Sequence, residues 1–166
     1  MLNMNVRSVF VALVAIALAA CAAPVQNAGS GQSEIVVKDA WARPAIGMHG
    51  DGGHGGHGGH GGQVSAAYMV IENKGDAPDR LLSAAGDVAG MIEVHQTTQK
   101  NGMMMMEEMK DGLEVPAKGA VELKPAGYHI MLMDLKRDLK PGDAFKLTLK
   151  FQSGKTIDVD VTVREP

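Results

Sequence analysis

The chain has one cysteine, Cys21, so no disulfide can form within it and packing must hold the fold. Aromatic residues make up 4% of the sequence, which leaves aliphatic side chains and methionine to fill a core. A membrane-crossing helix needs about 20 apolar residues. The apolar run at residues 8–20, SVFVALVAIALAA, has thirteen. Basic residues number 16 against 19 acidic ones, with a formal charge of -3 and no clustered basic face, which argues against a nucleic-acid partner. Neither a nucleophile–base pair nor a positioned carboxylate dyad is visible, so no enzyme is expected.

What is present begins with that apolar run, preceded by Arg7 and ending in small residues, the composition of an export signal. Its end, Leu18-Ala19-Ala20-Cys21, resembles a bacterial lipobox. The resemblance implies cleavage before Cys21, lipidation there, and tethering on the periplasmic side of a membrane by the lipid anchor alone. An ordinary signal cleaved near Ala23 would discard Cys21, and both readings export the chain. The expected organisation is a signal at 1–20, a flexible tether at 21–33, and one domain at 34–166. Small, polar, aperiodic AAPVQNAGSG fits the tether.

From Glu34 onward the hydrophobic period is two. EIVVKDAWAR, SAAYMVIEN, RLLSAAG and MIEVHQTT read as strands, with NKGDAP as a turn. AVELKPAGYHIMLMDL reads as two strands broken at Pro125-Ala126-Gly127, and FKLTLKFQSGKTIDVDVTV as a hairpin around Ser153-Gly154-Lys155. In the last strand Ile157, Val159, Val161 and Val163 alternate with Asp158, Asp160 and Thr162, as a sheet with one face dry and one wet requires. Seven to nine short strands and no convincing amphipathic helix predict an all-β, antiparallel β-sandwich.

Residues 47–62 interrupt this pattern with a His/Gly loop, in which His54, His57 and His60 recur every third residue after His49. Glycine leaves such a segment too little apolar surface to order itself. Its imidazoles suit accessory binding of Cu(II) or Zn(II), while the bland alternative is a solvated spacer.

Residues 103–106 are four consecutive methionines. Methionine is an adaptable core filler, and because alternate strand residues face opposite sides, some of the four are expected to pack. Thioether sulfur is also a soft donor that selects Cu(I). His95 precedes Met106 by ten intervening residues, and His129 and Met131 share a strand face. Singly, a strand histidine is usually structural and a strand methionine usually core. Together His95, Met106, His129 and Met131 make a four-donor set.

That spacing resembles the PCu(A)C family of periplasmic copper chaperones: a histidine, ten residues, a methionine, about twenty-one residues, then His-x-Met. The likeness continues in DAWARP, AAYMVIEN, DGLEVP and ELKPAGYHIMLM, and covers about residues 34–164. Here twenty-two residues separate Met106 from His129, so Met104 or Met105 is an alternative ligand. The resemblance implies a cupredoxin-like, Greek-key sandwich that binds Cu(I) and hands it to a copper-accepting client, such as a cytochrome c oxidase subunit with its copper-A centre, or another copper chaperone. Thioethers suit an oxidising compartment, where a thiolate carrier is lost to disulfides. The rival reading is a surface buffer that sequesters copper or zinc and delivers it to nothing.

Overall fold

The computed structural model describes residues 32–46, 63–100 and 102–166. Cys21, the signal and most of the tether, and His49, His54, His57 and His60 lie outside these. The described residues form ten strands and no helix: β1 (Ile35–Ala42), β2 (Ser65–Asn73), β3 (Asp79–Ala85), β4 (Ala89–Lys100), β5 (Met103–Glu108), β6 (Leu113–Val115), β7 (Gly119–Leu123), β8 (Tyr128–Leu135), β9 (Ala144–Phe151) and β10 (Thr156–Val163). They pair in the order β5-β4-β8-β7-β2-β1-β10-β9-β3-β6, mostly antiparallel, with β8 also paired to β2. The layers of the expected sandwich are therefore one continuous hydrogen-bonded sheet. Although far apart in that order, β3 and β4 follow one another in the chain, and Leu81 and Ala84 of β3 share one core with Ala89 and Val94 of β4.

The core is aliphatic, as the scarcity of aromatics requires: Ile71, Leu81, Ile130, Leu132, Leu147 and Val161 are among its fully buried members. The β9–β10 hairpin behaves as its alternation predicts, with Val159, Val161 and Val163 buried and Asp158, Asp160 and Thr162 exposed. In β2 nearly every residue is buried, because strands flank it and both its faces are covered. Its first half pairs with β8 (Ser65 opposite Leu132, Ala67 opposite Ile130). Its second half pairs with β7 (Met69 opposite Leu123, Asn73 opposite Gly119). β7 and β8 thus share one edge of β2 end to end, and the Lys124–Gly127 turn joins them.

Two buried polar residues tie the opposite end together. Asp79 Oδ2 accepts hydrogen bonds from the Ser33 and Ser153 hydroxyls, each at 2.6 Å, and Oδ1 accepts from the Arg80 and Ser153 N–H groups at 2.8 and 3.0 Å. Burial pushes the Asp79 pKa up, but these donors together outweigh it and hold it below the usual carboxylate value. Asn73 Oδ1 accepts from the N–H groups of Glu34 and Gly75, both at 3.0 Å, and its amide donates to the Ala77 carbonyl at 2.8 Å. Gly75 has to be glycine, since a Cβ there would run into the Gln32 carbonyl.

The expectation that part of the methionine run packs is corrected. Met103, Met104, Met105 and Met106 are exposed by 65%, 57%, 42% and 58%. The reason is position: β5 is an edge strand of the sheet, and all six of its residues are exposed.

Candidate metal centre

In the antiparallel β4–β8 ladder His95 stands directly opposite His129, Glu93 opposite Met131, and Met91 opposite Met133. Opposed residues project to the same side, as do residues two apart on a strand, so all six lie on one sheet face. The imidazole centroids of His95 and His129 are 5.8 Å apart, their planes inclined by 55°. In the β4–β5 ladder Met106 stands opposite Thr97, one step along from His95 on the same face. A diagonal neighbour of this kind lies within about 7–8 Å, inside the reach of an unbranched side chain. Met104, opposite Gln99, shares that face one step farther out, whereas Met105, opposite Thr98, is turned to the other side. The structure thus brings together His95, His129, Met131 and Met106, keeps Met104 as an outer neighbour, and removes Met105 by strand alternation.

Hydrogen bonding assigns a free nitrogen to each ring. His129 Nδ1 lies 3.1 Å from the Gly127 carbonyl, so it carries the proton and leaves the Nε2 lone pair available. The same carbonyl accepts the Thr97 N–H at 3.0 Å, which locks the Lys124–Gly127 turn to β4. His95 Nε2 lies 2.8 Å from Glu93 Oε2 and donates to that carboxylate, while its Nδ1 is buried with no partner. Of two such orphaned side-chain atoms among the described residues, the other is Thr98 Oγ1, on the opposite face of β4, and nothing in the structure explains it. Burial foremost pushes the His129 pKa down; the Gly127 hydrogen bond opposes this, and nearby His95 and Arg43 add to it. The ring is therefore neutral near pH 7, the form that can ligate a metal.

His129, Met131 and Met106 open into a cavity of about 370 Å³ whose other walls include Arg43, Tyr68 and Thr97. Tyr68 packs on Trp41 with centroids 4.6 Å apart. Among the described residues, no three His, Cys, Asp or Glu side chains gather into a metal-holding group. The donors that stand beside the two imidazoles on this face include the thioethers of Met131 and Met106.

The family described as "Putative lipoprotein LpqE-like" matches residues 35–163. The chain belongs to the LpqE-like family. Among its relatives, "Putative lipoprotein Lxx21020" of Leifsonia xyli is 32% identical over 163 residues, spanning 96% of this chain and 89% of that one. Among solved structures, the Cu(I) form of DR1885 from Deinococcus radiodurans is 34% identical, with a TM-score of 0.55 over 84% of this chain and 85% of that one. The copper-bound PCuAC domain from PmoF2 superposes with a TM-score of 0.57 over 81% of this chain and 99% of that one. At 22% identity this second likeness speaks to the fold alone, which is cupredoxin-like.

In this LpqE-like chain the sequence reading missed Glu93, the carboxylate that orients His95. The signal was available, because Glu93 and His95 have the same two-residue spacing that drew His129 and Met131 together. Arg43 and Tyr68 were missed too, and no local pattern marks them, since they reach the cavity from β2 and the segment after β1.

Proposed function

We propose that the chain is a Cu(I) carrier that takes the ion on His95 Nδ1, His129 Nε2, Met131 and Met106 and passes it to another protein. The observation that carries this reading is the shared rung of the β4–β8 ladder. Two imidazoles face one side, each with one nitrogen committed to a hydrogen bond and the other left over. Soft thioethers beside imidazoles suit Cu(I), whereas Ca²⁺ and Mg²⁺ ask for oxygen ligands. DR1885, 34% identical to this chain, was solved with Cu(I) bound, which favours the same cargo here.

Release is as much a part of carriage as capture. A cavity of about 370 Å³ far exceeds one ion, and the surplus admits a donor side chain from a client while the ion is still held. A copper-accepting domain such as the copper-A subunit of cytochrome c oxidase, or a second copper chaperone, fits that exchange. Pro44 and Val64 line the cavity and flank the His/Gly segment 47–62 in the sequence, which favours His49, His54, His57 and His60 as accessory Cu(II) or Zn(II) ligands. Lipidation at Cys21 would hold the carrier at the periplasmic side of a membrane, consistent with the lipoprotein description of the family.

X-ray absorption of the Cu(I)-loaded protein tests the site: mixed nitrogen and sulfur neighbours are expected, with both contributions reduced in His129→Leu/Met131→Leu. Unchanged ligation in that variant would refute the assignment. Mixing the loaded protein with an apo client separates carrier from buffer, because a buffer yields its ion only to chelators.

A further inference from the structure

We infer that Met91 and Met133 form a second soft-metal station, farther along the same ladder, which takes Cu(I) or Ag(I) through Met131. The inference extends the carrier reading, yet its readout is separate. Met91 and Met133 are directly opposed across β4 and β8, on the face that carries His95 and His129. Opposed side chains start from Cβ atoms about 4.5–5.5 Å apart, a gap that two unbranched thioethers can close on a single ion. No methionine of β5 has this arrangement: Met103, Met104, Met105 and Met106 face Lys100, Gln99, Thr98 and Thr97.

Packing does not account for the pair. Met91 is 41% exposed, and neither Met91 nor Met133 is part of the hydrophobic core or packed against it, whereas Met69 is fully buried. Successive rungs on one face are about 7 Å apart along a strand. The rung between the histidines and this pair is Glu93 opposite Met131. Met131 therefore stands one rung from either position, and a monovalent ion can pass between them by exchanging neutral donors, with no change of oxidation state. Two sulfurs make a weaker site than four mixed donors, as a staging post for incoming or outgoing cargo requires.

The test is a titration of the full chain, carrying isotope-labelled methionine methyl groups, with Ag(I) as a redox-inert probe followed by NMR. Over the first equivalent the Met131 and Met106 methyls should shift. Over the second the Met91 and Met133 methyls should shift together, and Met91→Leu/Met133→Leu should abolish that second response while leaving the first intact. Leucine preserves bulk, so retention of the first response also certifies the fold. If the second ion moves only the methyls of residues 103–105, or only histidine signals, the inference is overturned. If Met91, Met133 and Met131 respond while Met106 and both ring signals of His95 and His129 stay still, the second station stands and the carrier site falls; a silent Met131 overturns the inference.

Discussion

Two buried polar clusters sit at opposite ends of this sheet, and they differ in how completely they are satisfied. Around Asp79 both carboxylate oxygens are saturated by serine hydroxyls and backbone N–H groups, and Asn73 beside it is likewise fully engaged. Around the histidine rung each ring has one nitrogen hydrogen-bonded and one left over, and the left-over nitrogen of His95, Nδ1, is buried. A buried group without a partner costs about 1–3 kcal/mol. The first cluster is complete in the chain alone and serves the fold. The second, on the proposed reading, is left for a metal ion to complete.

The sharpest way to break that comparison is to remove a donor from the incomplete cluster. His129→Leu should lower Cu(I) affinity by more than the roughly 10–100-fold that outer partners of metal ligands are worth, measured by competition with a Cu(I) chelator. Its melting temperature should hardly move, because the Gly127 carbonyl keeps the Thr97 N–H.

The reverse experiment is Asp79→Ala, which leaves two hydroxyls and two N–H groups unpaired and should cost about 3 kcal/mol in denaturant unfolding, with Cu(I) affinity unchanged. Acid should separate the clusters as well. The Asp79 pKa is lowered on folding, so its stabilisation is present above the ordinary carboxylate value of about 3.9 and is lost as pH falls through its depressed folded value. The His129 pKa is also lowered on folding, so apo-protein stability should begin to fall earlier, below about pH 6.5, as protons favour the unfolded chain. His129→Leu should flatten the upper window and Asp79→Asn the lower, as read from unfolding midpoints across pH.

The smallest expected effect belongs to the residue shared between ring and solvent. Glu93→Gln can still accept a hydrogen bond from His95 but without charge, so Cu(I) affinity should fall by about 10-fold. Glu93→Leu, which cannot orient the ring, should fall further, with equal stability in both variants. Equal affinity in the two would show that Glu93 does not position His95.

Much of this was legible in the sequence because strand alternation is a local signal. The β9–β10 hairpin, the break at Pro125-Ala126-Gly127 and the shared face of His129 and Met131 all follow from a period of two. The fate of the methionine run was not legible, because being at the sheet's edge is a property of strand order rather than of residue type. One clue to it was overlooked. Asn-Gly, the sequence at 101–102, is the dipeptide that favours a two-residue hairpin connection, and Lys100 indeed stands opposite Met103 and Thr97 opposite Met106. The Asp79 cluster could not be foreseen, since its serine partners lie 46 and 74 residues away.

The twenty-two residues between Met106 and His129 run through β6 and β7 before the chain returns to β8. The proposed ligands, however, are spaced by ladders that join β4 to β5 and β4 to β8 directly. Length added to the detour leaves the destination where it was. Counting along the thread therefore misjudges a knot tied across it, and natural variants with longer or shorter excursions there should keep the same grip.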